Sequence, residues 1–326
     1  MKHFRKTVIW LIPGFFFLSL TSAQAVWEQE AGLRMGYDSN LDRAISNPQG
    51  SGYGSGYFSL NREPDGEARL DWSLWSQVEG TAYFSMPDLN GAVITLAPGV
   101  TYIPHKDWLV TVVPFVQAKS VVDSEQSALA WGGKFALKQR WGEGIYSGQY
   151  YLFKDSRARE DIYSYTENTL GLFLGVKWAA KLFAEIGYEF SRGDSFLSID
   201  HQRPAGSIAG PGGGSGGENG HGPGGEAGGG TGGGPGGGSG TGSGSGGGSG
   251  RGNNKVRGQE KGPRYSSAFD STVVRENVNR HSLGLTLGID WNKAIYSLAG
   301  YTYTTLQGDS GTATNHAVFI STGYRF

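Results

Sequence analysis

Residues 316–326 read HAVFISTGYRF, placing Val318, Ile320, Thr322, Tyr324 and Phe326 at alternate positions and ending the chain on an aromatic residue. Chain termini are ordinarily polar, because ordering them costs entropy that only burial or pairing returns. In a strand, successive side chains point to opposite faces, so this terminus predicts a final strand that presents an apolar face to something other than water.

The same period of two recurs along the chain. In Thr166 to Trp178, Leu170, Leu172, Leu174, Val176 and Trp178 share one face, while Glu167, Thr169, Gly171, Phe173, Gly175 and Lys177 share the other. Arg280 to Trp291 and Leu182 to Phe190 repeat the pattern, which reads as strand rather than helix. Pro64-Asp65-Gly66, His105-Lys106, Gly142-Glu143-Gly144, Ala179-Ala180 and Asn292-Lys293 read as short turns. Centres in the first four of these lie 41, 37 and 37 residues apart, each interval being one strand up, one connection and one strand down. The resulting expectation is six hairpins and about twelve strands, at 27–37, 53–63, 67–80, 91–104, 107–121, 127–141, 144–155, 163–178, 181–196, 275–291, 294–306 and 313–326. Most exceed the roughly 9 to 11 residues that a tilted strand needs to cross a bilayer.

The aromatic residues sort by height along these strands. Trp27, Trp108, Trp141, Trp178 and Trp291 fall at the short-turn end; Tyr37, Tyr57, Phe58, Tyr83, Phe84, Tyr163, Tyr165, Phe196 and Tyr303 fall at the other. Two aromatic girdles around an apolar band suit a membrane barrel, because amphipathic rings settle at headgroup level. A soluble sandwich or lipocalin-like barrel also alternates, but its polar face would be rich in Lys and Glu. Here it is rich in Gly, Ser and Thr, in a chain with 56 glycines and 13% aromatics. The expected fold is an all-β, antiparallel, up-and-down transmembrane barrel.

The other end of the chain gives the expected compartment. Lys2, Arg5 and Lys6 precede an apolar stretch from Val8 to Leu20, followed by Ala23-Gln24-Ala25. Such an arrangement reads as a signal peptide, residues 1–25, cleaved after Ala25, leaving the barrel as residues 26–326. Cleavage removes three positive charges and moves the formal balance from −1 to −4. No basic excess argues for nucleic acid. The absence of cysteine excludes disulfides, thiolate nucleophiles and cysteine metal sites, and no cofactor is expected. Residues 202–263 form a Gly-rich insert between the ninth and tenth strands; its stretch 209–252 has no large apolar residue to bury, and the insert is expected to be a disordered extracellular loop. The insert has neither the calcium-binding glycine repeat nor Walker A spacing.

The terminal alternation, with Phe326 last, resembles that of bacterial outer-membrane barrel proteins. The resemblance implies a cell outer-membrane location, contact with outer-membrane lipid, and a terminal strand, Val318 to Phe326, that is both the tag read by the barrel-assembly machinery and the strand that closes the barrel. A second, local resemblance lies in Gly36-Tyr37-Asp38-Ser39-Asn40-Leu41-Asp42-Arg43-Ala44. It is similar to a stretch near the first strand of surface-lipoprotein-assembly-modifier and exopolysaccharide-associated barrels, with Asp42 in place of Asn. Read on its own residues, it is an Asx-rich loop whose side chains cap their own backbone.

Strand parity places Arg34, Arg69, Asp71, Glu79, Lys119, Lys134, Lys138, Arg140, Glu167, Lys177, Glu185, Glu189, Asp290 and Arg325 inside the barrel. Arg34, Arg69, Asp71, Glu79, Lys119, Lys134, Lys138, Arg140, Glu185 and Glu189 are the candidate lumen-lining set. The basic cluster on strands five and six, set across the ring from Glu185 and Glu189, predicts either a transverse field in a narrow channel for small polar solutes or a salt-bridged, blocked interior. A non-conducting surface barrel, for adhesion or as a helper for export of lipoprotein or polysaccharide, is the alternative. An outer-wall lipid hydrolase is a remote one, resting on His281 and His316 without an evident serine partner.

Overall fold

The computed structural model describes residues 27–62, 64, 68–178, 181–200, 263–266 and 268–326. The expected signal peptide, the Ala179-Ala180 turn and nearly all of the Gly-rich insert lie outside the described residues. The strands are β1 (Trp27–Asp38), β2 (Ser51–Arg62), β3 (Leu70–Tyr83), β4 (Gly91–His105), β5 (Trp108–Val121), β6 (Ala128–Arg140) and β7 (Ile145–Ala158). They continue as β8 (Tyr165–Trp178), β9 (Leu182–Asp200), β10 (Arg264–Ser266), β11 (Ser271–Asp290), β12 (Ile295–Gly308) and β13 (Gly311–Arg325).

Consecutive long strands pair antiparallel, β9 pairs directly with β11, and β13 pairs with β1 to close a twelve-stranded barrel. Closure leaves no sheet edge to lipid, which is what a strand-built membrane span requires. All twelve expected strands are present. The unexpected element is β10, three residues pairing with the outward end of β11. β9 and β11 also run on past their expected ends, so that Asp200 pairs with Thr272 beyond a bulge.

The alternation is as required for a barrel in lipid: Leu33, Met35, Leu170, Leu172, Leu174, Leu283, Leu285, Leu287, Val318 and Ile320 are exposed, while their sequence neighbours are covered. All five tryptophans expected at the short-turn end are exposed there, and Trp72 joins them, edge-on to Trp27 at 6.2 Å. The opposite girdle differs from expectation. Tyr37 and Phe84 face outward, but Tyr57 hydrogen-bonds inside the barrel, and Tyr83, Tyr163 and Phe196 join a buried cluster. The sequence reading sorted these rings by height; parity and loop geometry decide whether a ring meets lipid.

The closing seam carries its own clamp. Tyr57 on β2 lies over Gly32 of β1, and Tyr296 on β12 lies over Gly323 of β13, where a Cβ would strike either ring. The two hydroxyls meet at 2.6 Å above the β1–β13 junction, and both donate to Glu30. Arg325 stacks on Tyr296 at 4.3 Å and ion-pairs with Glu28 at 3.2 Å and Asp290 at 3.1 Å. Phe326 donates its backbone N–H to Gln29 at 2.9 Å, so the terminal residue is tied to β1. Replacing Gly323 with Val puts bulk where Tyr296 lies and should cost roughly 1 to 3 kcal/mol. A lower urea midpoint for loss of the compact, heat-modifiable form in gel migration would register that cost.

Candidate functional site

The inward face of the barrel carries the charges, beside an apolar patch of Phe183, Leu298 and Phe319 packed with Tyr296, and those charges are laid out by strand register. Two transverse rungs repeat. Tyr150 of β7, Gly171 of β8 and Glu189 of β9 are successive cross-strand partners, as are Tyr146, Gly175 and Glu185. Each glycine leaves room for the tyrosine ring to lie flat over β8, so the Tyr150 hydroxyl reaches Glu189 and the Tyr146 hydroxyl reaches Glu185 at 3.1 Å. On the other side, Lys134 and Lys138 of β6 place their ammonium groups over the rings of Tyr150 and Tyr146, at 4.3 and 4.7 Å, within the range of a cation–π contact.

This geometry corrects the expectation that these lysines face Glu185 and Glu189 across the ring. β6 and β9 are only three strands apart in the sheet order, and the tyrosines join the two signs along one wall. Sequence spacing gives parity but not distance around the ring.

Arg34 pairs with Glu79 at 3.6 Å, and Asp71 pairs with Arg62 at 3.1 Å. Lys119 lies near the outward end of β5, opposite Ala128 of β6. Arg69 was expected inside a strand; it is exposed in the turn before β3, which begins at Leu70. Arg140 is exposed at the short-turn end of β6. Arg280, absent from the candidate lumen set, joins Glu167 at 2.5 Å and Glu189 at 3.8 Å. Lys154 of β7 was also missed: it is 6% exposed and donates to Gln117 at 2.7 Å. Parity along 144–155 could have found it, because Lys154 shares the face of Tyr146 and Tyr150.

The outward mouth holds an apolar cluster. Leu41, Met86, Leu89, Ile162, Tyr163, Ala268 and Phe269 from four outer connections pack with Phe196 of β9 and Val273 of β11. Phe269, fully buried, stacks on Phe196 at 5.4 Å and meets Tyr163 edge-on at 5.9 Å. Burial pushes the Tyr163 phenol up to about 12, so it stays neutral and donates to Ser266 at 2.7 Å. Arg264 of β10 ties this segment to Glu160 and, at 3.3 Å, to Glu125. Those pairs are exposed and contribute at most about 1 kcal/mol each, so the apolar contacts hold the segment in place.

The connection at 39–50 folds inward beneath this cluster. Asn40 accepts from Ala44 N–H at 2.8 Å and donates to the Ala44 and Thr314 carbonyls at 3.0 and 2.8 Å. Asp38 accepts from Asn40 N–H at 3.0 Å and from Asn315 at 3.1 Å. Backbone bonds from Ile45 to Ser198 and from Ser198 to Arg43 dock the loop on β9. The Asx side chains do cap their own backbone, and they also fasten the loop to β13.

On the outer wall, His281 hydrogen-bonds Tyr188 and His316 hydrogen-bonds Tyr301, both at 2.8 Å. Among the described residues neither imidazole bonds a serine, and no group of acidic or histidine residues is arranged to hold a metal.

No protein-family model and no curated protein matches the chain. Its structure is similar to that of an outer-membrane channel from Pseudomonas putida F1, with a TM-score of 0.51 at 9% identity over 91% of this chain and 95% of that one. The NanC porin gives 0.45 at 9% identity, over 90% and 98% of the two chains. The KdgM porin gives 0.41 at 8%, over 90% and 97%. At such identities the likeness is one of fold: this chain is a closed twelve-stranded barrel of the bacterial outer-membrane type. Phe269→Ala empties the centre of the mouth cluster and should cost about 3 kcal/mol of local stability. Limited proteolysis should then cut the outer connections faster, while the circular dichroism of the barrel stays unchanged.

Proposed function

We propose that the chain, exported by its signal peptide and read by the barrel-assembly machinery through Val318, Ile320, Thr322, Tyr324 and Phe326, serves in the outer membrane as a narrow channel for small polar solutes. One observation carries this reading. Lys119, Lys134, Lys138 and Lys154 share the inward face of β5 to β7, and no position of inward parity from β4 to β7 is a carboxylate. Glu28 and Glu30 lie on β1, on the far side of the ring. A one-signed wall facing one of mixed charge, where Glu28 and Glu30 sit with Arg325 at 3.2 and 3.9 Å and Arg34 pairs with Glu79, sets a field across the lumen, and low-dielectric walls concentrate it. A solute crossing there keeps polar partners on both sides, so it need not shed water without compensation.

The mouth cluster favours the second reading, a surface barrel that does not conduct. In the channel reading the same cluster is a closure that solute passage must displace. Replacing both Lys134 and Lys138 with Glu reverses the charge of the wall where it borders Glu185 and Glu189. In a planar bilayer under a salt gradient, the reversal potential should move toward cations, by roughly threefold in permeability ratio. An unchanged reversal potential in a conducting barrel would contradict a solute path along this wall.

A further inference from the structure

On the lipid-facing wall, ten residues separate Trp291, at the foot of β11, from His281, and ten separate Phe326, at the foot of β13, from His316. For a tilted strand that is roughly 25 Å of height, the thickness of the apolar band such barrels turn to lipid. Both imidazoles therefore stand at the outer headgroup level, and each is set in the same way. His281 lies 5.1 Å from the Phe190 ring and bonds Tyr188 through Nδ1; His316 lies 5.0 Å from the Tyr303 ring and bonds Tyr301 through Nδ1. With the phenol donating to Nδ1, the neutral ring keeps its proton on Nε2 and is a donor there.

The two settings differ in what stands above them. One step outward from His281, three adjacent strands present a single row: Asn168 of β8 and Asn279 of β11 are the direct cross-strand partners of Arg192 of β9. All three side chains are exposed, and the Cβ atoms of such partners lie about 5 Å apart. His281 is one diagonal from Arg192, since its own partner, Phe190, comes two residues earlier on β9. Among the described residues no carboxylate pairs with Arg192, for Asp194, on the same face of β9, is held by Arg275 at 2.5 Å. Asn168 accepts from the Tyr151 hydroxyl at 2.5 Å, which leaves its amide N–H groups to donate. The same step above His316 reaches Thr314 and its partner Thr305, neither of them charged. Below the row, Leu170, Leu172, Ile186 and Leu283 are exposed.

We infer that Arg192, Asn168 and Asn279, with His281 beneath them, form a binding site on the outer wall for the phosphate of a membrane lipid, whose chains lie along Leu170, Leu172, Ile186 and Leu283. A guanidinium fork matches phosphate oxygens in pairs, and at headgroup height phosphate is the anion that lipid supplies. The flanking amides and the imidazole add neutral donors, so the site has donors on three strands and an apolar track directly below. It also braces a weak place in the connectivity: β9 ends at Asp200 and β11 begins at Ser271, and a lipid bridging Arg192 and Asn279 links these strands where no tight turn does. The inference rests on the barrel standing in a membrane and not on its conducting.

Native mass spectrometry of the refolded barrel, released from neutral maltoside micelles, tests the site with dioctanoyl phosphatidic acid, dioctanoylglycerol and inorganic phosphate. One phosphatidic acid per barrel should bind saturably, at least tenfold more tightly than either of the other probes. Its affinity should fall at least fivefold in Arg192→Gln and in Asn279→Ala, and stay unchanged in His316→Ala, which removes the matching imidazole that has no cation above it. Equally tight dioctanoylglycerol would mean contact with the chains alone and overturn the phosphate site; equally tight inorganic phosphate would overturn the lipid as its occupant. Undiminished affinity in Arg192→Gln, shown to be folded by heat-modifiable migration, overturns the site as a whole. Should that variant not fold, Asn279→Ala decides in its place.

Discussion

Every backbone N–H and C=O that enters hydrocarbon must find its partner within the protein, because each one left unpaired costs several kcal/mol. For a chain of strands that requirement has one solution, and here it is met at the pairing of β1 with β13. The seam joins the two ends of the sequence, so it is the last pairing that chain connectivity would bring about. It is also where cross-strand reinforcement gathers: Tyr57 and Tyr296 bridge it, Glu30 accepts from both, and Arg325 gathers Glu28 and Asp290. The aromatic last residue follows from the same constraint. Phe326 bonds β1 through its backbone and offers its ring to lipid.

Closure dictates the interior. With apolar side chains committed to the lipid face, the inward face receives the charges, and a barrel of twelve strands is too wide for short side chains to fill. Glycines in one strand let tyrosines from the next lie flat against the wall, and those rings carry hydrogen bonds from β7 across β8 to the glutamates of β9. The arrangement lines the wall with polar groups that are largely satisfied. The outward mouth is handled differently: apolar residues from four connections pack over it, and the first connection turns inward beneath them to dock on β9.

The fold was legible in the sequence because its signals are local. A period of two, short turns at regular spacing and an aromatic terminus are each read from a few adjacent residues, and together they gave all twelve strands. What escaped depends on neighbours far apart in the chain. Tyr57 and Tyr163 sit at girdle height, but one turns into the lumen and the other into the mouth cluster, and only parity and loop packing separate those outcomes from a lipid contact. The distance between Lys134 and Glu189 depends on strand order around the ring. Lys154 and Arg280 were within reach of parity, whereas the inward fold of Arg43 is set by bonds from Asn40 to Thr314 and from Asn315 to Asp38, more than 270 residues away in sequence. The mouth cluster did leave a trace, since Leu41, Met86, Ile162 and Phe269 are large apolar residues in connections that water alone would keep polar.

The central claim is that this closed barrel encloses a polar path, biased by a basic wall on β5 to β7 and shut at its outer end by apolar packing. Single-channel recording of the refolded mature protein in a planar bilayer tests it most directly, with the Phe269→Ala variant alongside. The account predicts a small anion-preferring conductance whose open fraction rises when the mouth cluster is weakened. Silence from both proteins, each shown to be folded by circular dichroism and heat-modifiable migration, would contradict it and leave a barrel whose interior braces a surface scaffold.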